Sequence, residues 1–474
     1  FGTRLMDDFV QVNAGGDIAL LNGVLKALME KDSLDQTYID AHTVGWESTR
    51  SHLESLEWST IETVSGVPRS RVSWLAEIIG RASTMVTIYS LGLTQHRFGH
   101  QNVQGVVNLH LATGMLGKSK CGIMPILGHS GVQGGGECGV SPTSYPGPRN
   151  VTEQTAQEMS SLWGNHPVPH WKGKTTVPMV QAAHAGGIDF FYTVGGNLLE
   201  TLPDPRFVVD AFEKVGVRVH QDVVVNTSHL LEPGEFVVLL PAQTRYEQRG
   251  GGTSTSTERR IRFSPEIPGH PTVGEARPEW EIPCQLVTRA FPQLCNTLSY
   301  EDSSDIRAEM GRTMPVYSGI ENLSEAGDWI QWGGPQLCAD GNFSNMPDGK
   351  ARFNALEIPD VSVPEGQFYL TTRRGKQFNS IRIKDMDQLQ GGLGRDDLFM
   401  ASEDMDRLAL KPGGAIEVRS EHGEWHARAR PMPIMKGVVQ AYWPECNPVI
   451  GMRIDPNSEE PDYNALVTIE KARP

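Results

Sequence analysis

The sequence predicts an α/β protein with parallel sheet, followed by a small β-rich domain at the C-terminal end. Three observations carry this. Apolar residues repeat at helical spacing through much of the first 113 residues. Between 176 and 241 short apolar strands alternate closely with helices. Beyond 367 the pattern turns to short strands separated by Gly/Pro turns. Close alternation of strand and helix implies right-handed crossovers and hence parallel strands.

At 474 residues the chain exceeds one hydrophobic core, and about three domains are expected. With 42 Lys and Arg against 57 Asp and Glu the net charge is −15, which argues against a nucleic-acid partner because phosphate binding wants a basic face. No apolar run approaches the roughly 18 residues of a transmembrane segment, and FGTRLMDDFV lacks a signal-peptide layout. The expectation is a soluble, by default cytoplasmic, protein. The six cysteines, at 121, 138, 284, 295, 338 and 446, form no C-x-x-C, so no zinc or iron–sulfur run is written and free, mostly buried thiols are expected. A start at Phe1 suggests processing, or the downstream part of something longer.

In order, 17–31 is a helix with Ile18, Leu20, Leu21, Val24, Leu25 and Leu28 on one stripe and Asp17 as its N-cap. Helices follow at 36–42 and 72–82. A buried strand is expected at 84–92, then Leu93-Thr-Gln-His96 and a helix to about Thr113. Residues 151–170 read as loop with short helical pieces. Then come a helix at 176–185, a buried strand at 188–194, the turn Gly195-Gly196-Asn197, a helix at 204–215, and strands at 217–225 and 236–241. Ligands of such sheets sit beyond the carboxyl ends of the strands, near Gly195, Gly196, Asn197, Gln221 and Asp222. Residues 245–265 read as a surface loop whose glycines, hydroxyls and arginines suit a polar or anionic ligand. After an extended connector at 358–367, strands are expected at 368–372, 415–420, 424–430 and 437–443, with a helix near 402–408; the arrangement points to a barrel.

Between Met115 and Gly147 four glycines fall within Gly131–Gly136, with His129, Ser130, Gln133 and Glu137 as the polar side chains around them. Such a stretch is poorly suited to a helix or an ordinary strand, and reads as backbone brought close to an anionic or planar cofactor.

The blocks GLTQHRFGH, GIMPILGHSGVQGG, FFYTVGGNLLETLPDP, VHQDVVVNTSH, TSTERRI, LTTRRGKQFNSI, AYWPECN and PDYNALVTIEK together resemble the molybdopterin oxidoreductases of the DMSO reductase superfamily, closest to the formate dehydrogenase alpha-subunit-like branch. The resemblance covers nearly the whole chain, in the family's order. It implies two partial Rossmann-like doubly wound domains, 1–127 and 128–357, and a C-terminal double-psi β-barrel at 364–474, resembling the family's C-terminal portion. It also implies two molybdopterin guanine dinucleotides on one molybdenum or tungsten, a small-molecule substrate and an electron-transfer partner. The [4Fe-4S] cluster and the metal-ligating residue would belong to a missing N-terminal part.

Carried over position by position, the resemblance places His129 beside the metal as the catalytic side chain, with Gly128 and Gln133 in the same block. Gly195, Gly196 and Asn197 would meet a diphosphate, and Gln221, Asp222 and Asn226 ribose or guanine. Thr371, Thr372, Arg373, Arg374 and Gln377 would contact the pterins, and Asn447 and Tyr463 approach the cofactor. Formate dehydrogenases carry an arginine where this chain has Leu127, a departure that weakens formate as substrate. Two other readings stand beside the oxidoreductase: a nicotinamide dehydrogenase, disfavoured because no G-x-G-x-x-G follows a strand, and a catalytically silent cofactor-binding or assembly subunit.

Overall fold

The computed structural model describes residues 6–126, 128, 131–271, 273–374, 386–387 and 393–473. Leu127, His129 and Gln377 therefore lie outside the described residues. The chain packs as two compact units, one of Phe1–Met124, Glu200–Arg206 and Cys338–Pro474, the other of Pro125–Leu199 and Phe207–Leu337.

The first unit begins with helices α1 (Asp17–Glu30), α2 (Gln36–His42), α3 (Trp46–Ser55), α4 (Trp58–Ser65), α5 (Arg69–Arg81) and α6 (Gly99–Ala112). α1 is its axle, packed on α3, α4, α5 and α6, with Ile18, Val24, Leu25 and Leu28 buried. Asp17 is not the N-cap. The turn closed by Gly16 N–H on Asn13 O at 2.8 Å makes Gly16 the cap, and Asp17 becomes the first helical residue, where its carboxylate complements the helix dipole. Lys26, although buried, is satisfied: its Nζ donates to Leu53 O at 2.8 Å and Glu54 O at 3.1 Å, filling carbonyls that the end of α3 leaves open. Asn22 Nδ2 donates to Leu356 O at 2.7 Å, tying α1 to a segment far along the chain.

Strands β1 (Val86–Tyr89) and β2 (Gly122–Pro125) form a two-stranded sheet. The strand expected to be buried is half-exposed, with Val86 and Ile88 open to solvent. An all-apolar strand is covered on both faces only in a wider sheet flanked by helices. On the covered side His110 of α6 bonds Thr87 Oγ1 through Nε2 at 2.8 Å, and burial pushes the imidazole down to about 4. The unfolded chain takes up that proton near pH 6.5 and the folded one only near 4. His110 thus contributes stability that is complete above pH 6.5 and lost as the pH falls toward 4. His110→Gln should flatten the pH dependence of the thermal midpoint in that window; an unchanged slope would refute the assignment.

In the second unit helix α7 (Val132–Glu137) stands where the glycine run argued against helix. The correction has a packing cause. A Cβ on Gly134 would come within 2.7 Å of Thr255 Oγ1, so helical backbone lies directly against a neighbouring strand. Glu137, buried, accepts from Gln133 Nε2 at 2.9 Å and from the Tyr317 hydroxyl. Helix α8 (Glu153–Leu162) occupies the stretch read as irregular; a Thr152–Thr155 capping box starts it and Ala156 and Met159 bury its face.

Helices α9 (Thr176–His184) and α10 (Pro205–Glu213) accompany three parallel strands, β3 (Phe190–Val194), β4 (Val217–Asp222) and β5 (Phe236–Pro241), in the order β3-β4-β5. Only the central strand is buried along its length. The expected burial of 188–194 fails at Phe190 and Val194, both more than half exposed on an outer strand. The stretch 245–265 is not a loop: β6 (Gly252–Thr255) and β7 (Arg260–Ser264) form a hairpin joined by β8 (Trp329–Gln331). Ile261 and Phe263 alternate with arginines at period two and pack on Met314, Tyr317 and Ile320, a strand signal masked by the polar run before it. Helices α11 (Glu281–Ala290) and α12 (Ser303–Thr313) complete the unit.

The C-terminal barrel completes the first unit. Strands β9 (Phe368–Arg373), β10 (Asp397–Met400), β11 (Ala415–Arg419), β12 (Glu424–Pro431), β13 (Val438–Tyr442) and β14 (Ala465–Lys471) close in the order β9-β13-β10-β12-β11-β14. The pairs β9/β13 and β10/β12 are parallel and the others antiparallel. Its interior is Phe368, Leu370, Leu398, Met400, Ile416, Val418, Val439 and Val467, each worth about 1.5–3 kcal/mol on burial. The fold class is the expected one, a mixed α/β chain ending in a closed barrel. The strands expected from sequence leave out β14 (Ala465–Lys471) and β10, which Asp397 opens with a charge. That carboxylate is fully buried and satisfied by Gly394 N–H and Arg430 Nε, both at 2.7 Å. Helix α13 (Ser402–Arg407) falls where expected. All six cysteines are free, but only Cys446 is fully buried and Cys295 is exposed, fewer buried thiols than expected. Among the described residues no helix is long and apolar enough to cross a membrane.

Candidate functional site

In the second unit the parallel strands end on a crevice. β3 runs into Gly195 and Gly196, which have φ of 67° and 85°, and Cβ atoms at either would meet nothing within 4 Å. This is open, left-handed backbone. Gly195 N–H is spent on Gln221 O at 2.8 Å. Beside the turn lies the loop after β4. Asp222 Oδ1 accepts from Val223 N–H at 2.7 Å; its Oδ2 accepts from Asn226 Nδ2 at 3.1 Å. Asn226 Nδ2 also reaches Gly196 O at 3.1 Å, and Asn197 Oδ1 accepts from Ser228 Oγ at 2.6 Å. Gly195, Gly196, Asn197, Asp222 and Asn226 are thus brought together as one turn-and-loop pair. Gln221 points away. It is buried, donates to Glu279 O at 3.0 Å and accepts from the Tyr192 hydroxyl.

Three residues beneath this loop, His220, His229 and Arg218, escaped the sequence reading. His229 Nδ1 accepts from Asn226 N–H at 3.3 Å, and its ring lies 4.5 Å from that of His220, whose two nitrogens are buried without partners. Burial holds His220 at about 4, helped by the neighbouring His229 and Arg218. Arg218, buried on β4, carries the far side of the loop through Ser228 O, Leu231 O and Glu232 O. Gly128 is exposed, and Gln133, of the same predicted block, bonds Glu137 while its Oε1 stays buried and unpartnered.

The first unit has its own cleft, about 490 Å3, lined by Asp17, Gln95, His96, Thr371, Thr372, Arg373 and Arg374 among others. Arg374 sits 3.8 Å above the Trp443 ring and 5.4 Å from that of Tyr463, and donates to Gln95 Oε1 at 2.8 Å. Burial lowers its pKa from the usual arginine value. Gln95 Nε2 in turn donates to Glu460 Oε1 at 3.1 Å, whose carboxyl burial pushes up. His96 Nε2 lies 3.2 Å from the Tyr369 hydroxyl. Gln95 and His96 were missed as site residues although they follow a strand's carboxyl end, where ligand contacts concentrate. Asn447 and Tyr463 serve the protein itself: Asn447 Nδ2 donates to Glu200 O and Leu202 O, and the Tyr463 hydroxyl to Thr201 O at 2.7 Å.

Each unit by itself offers groups that suit an anionic ligand. One unit offers uncrowded glycine backbone beside an acidic and amide-bearing loop; the other offers two arginines and two threonine hydroxyls in one cleft. Among the described residues no group of three or more His, Cys, Asp or Glu side chains could itself hold a metal ion.

Comparison with known proteins accords with this chemistry. Residues 4–289 match the molybdopterin oxidoreductase family and residues 368–467 the molydopterin dinucleotide binding domain. Protein YdeP of Escherichia coli is 27% identical over 98% of this chain and 64% of its own length. The alpha subunit of F420-dependent formate dehydrogenase 2 of Methanococcus maripaludis is 26% identical over 92% of this chain and 64% of its own. The chain thus spans 64% of the length of these relatives. Acetylene hydratase of Pelobacter acetylenicus shares the fold, with a TM-score of 0.67 at 14% identity, over 97% of this chain and 71% of that one. The first family match alone covers more than half of the sequence, and the chain belongs to the molybdopterin oxidoreductases.

Proposed function

We propose that the chain is a cofactor-binding portion of a formate dehydrogenase-like oxidoreductase that uses bis-molybdopterin guanine dinucleotide with molybdenum or tungsten. The observation that carries this reading is the pairing of the Gly195–Gly196 turn with the Asp222–Asn226 loop, held in register by the Asn226 bonds to both. When bound, the group supplies a two-electron redox centre at its metal. The chain's part is to bind and orient. The left-handed glycines leave room for a diphosphate to approach backbone. The Asp222 carboxylate accepts hydrogen bonds from a purine edge, and Asn226 fixes its orientation. Thr371, Thr372, Arg373 and Arg374 supply hydroxyl and guanidinium donors to a pterin, Arg374 being immobilised by stacking on Trp443. His129 is assigned to hydrogen bonding or proton exchange with substrate, since imidazole titrates near neutral pH. The substrate is a small molecule. The formate dehydrogenase relative favours formate, and Leu127 in place of arginine weighs against it. An electron-transfer partner, and a [4Fe-4S] cluster in sequence N-terminal to this chain, complete the proposal.

Leu127 also favours a second reading, a cofactor-holding subunit without turnover. Metal analysis and acid release of guanine nucleotide from purified protein test both. About one molybdenum or tungsten and about two dinucleotides per chain are expected for a bis-dinucleotide centre. A well-folded but empty protein refutes both readings, and a loaded protein that no donor or acceptor dye can reduce or reoxidise supports the second.

A further inference from the structure

The second unit holds a second polar cleft, of about 520 Å3, that shares no lining residue with the pocket beside Asp222. Side chains alternate along β7: Ile261 and Phe263 enter the core, so Arg260, Arg262 and Ser264 face the other way. The antiparallel register sets Arg262 directly opposite Ser254, and Ser256 follows at the end of the same strand. Arg245 reaches the cleft from the preceding loop, its guanidinium 4.8 Å from the Tyr246 ring and 2.8 Å from that hydroxyl. Arg260 lies over Trp329 at 4.5 Å, and its Nε is buried without a hydrogen-bond partner.

Three arginines therefore line one cleft, and among the described residues no carboxylate lies within ion-pair distance of any of them. The lining carboxylate, Glu258, is exposed, and only its backbone carbonyl is engaged, by Gln331 Nε2 at 2.9 Å. In a chain of net charge −15, with Asp and Glu outnumbering Lys and Arg, an arginine trio without a counter-charge repels itself unless an anion joins it. We propose that this cleft binds a small phosphorylated anion. The donor count selects phosphate over carboxylate. Each guanidinium presents five N–H donors and Ser254 adds a hydroxyl, more than the two oxygens of a carboxylate can use, while the Ser256 hydroxyl donates to Arg260 O at 3.3 Å. A diphosphate has the acceptor oxygens and charge to engage several guanidinium forks together, while the Tyr246 ring supplies a wall for an organic substituent.

The inference does not depend on the cofactor reading. It is tested by calorimetric titration of the purified protein with inorganic pyrophosphate at ~50 and ~200 mM salt, since Coulombic binding weakens as the screening length shortens. The expected result is saturable binding that weakens with salt, reduced about tenfold or more in both Arg262→Gln and Arg245→Gln, as loss of charged hydrogen bonds requires. Arg262→Lys, which keeps the charge, recovers part of the loss. Arg245 lies outside the hairpin, so its variant serves if Arg262→Gln disturbs folding. Lys172→Gln, which removes an exposed cation outside both clefts, should bind as wild type. Absence of binding in the wild-type protein overturns the proposal. So does binding that stays intact in both arginine variants or weakens equally in Lys172→Gln, and so does malonate binding as tightly as pyrophosphate.

Discussion

Arg218→Met should destabilise the second unit by about 2 kcal/mol or more, because the guanidinium feeds three loop carbonyls, one in a buried and two in half-buried bonds, and a buried acceptor left empty costs roughly 1–3 kcal/mol. The contacts are Leu231 O at 2.5 Å, Glu232 O at 3.0 Å and Ser228 O at 3.4 Å, made by a side chain with 1% of its surface exposed. Part of the loss is offset, since methionine keeps the packing against Phe212, which now lies 5.6 Å from the guanidinium, and removes a charge whose Nε has no partner. Urea unfolding measures the change; a loss below ~1 kcal/mol would mean that the loop finds other donors. The variant should also lose cofactor, because the released segment includes Ser228, which orients Asn197.

Asn447→Ala should cost the first unit about 1–3 kcal/mol, chiefly from the buried Leu202 carbonyl that loses its amide donor. The amide holds Glu200 O at 3.0 Å and Leu202 O at 2.9 Å, and 2% of the residue is exposed. Asn447→Asp is the sharper test. It keeps the shape but turns a carboxylate toward two carbonyl oxygens, so it should be at least as damaging as alanine. If Asn447 acted on the cofactor alone, both variants would lower cofactor content and leave the thermal midpoint of the unloaded protein unchanged.

The long periodic elements were legible in the sequence. The stripe of α1, the alternation from 176 to 241 and most of the barrel strands follow from apolar spacing that water alone enforces. What escaped depends on tertiary contact. The glycines of α7 look helix-averse until Thr255 supplies the reason for having no side chain there. Asp397 looks like a loop residue until Arg430 neutralises it inside the barrel. At the crevice the turn residues Gly195 and Gly196 were legible from local chemistry. Arg218 and His229 were not, because what gives them a role is a loop folded back over their own strand, and no spacing rule records that.

The route of the chain has a consequence for its birth. The first unit is interrupted after Met124 and resumes fully only at Cys338, and the Asn22–Leu356 bond joins residues 334 apart in sequence. At ~5–20 residues per second of translation, Asn22 emerges on the order of tens of seconds before the Leu356 carbonyl that its amide will bond. The apolar stripe itself is covered early, by helices complete at residue 112, so what waits for the later chain is the Asn22 amide rather than the core.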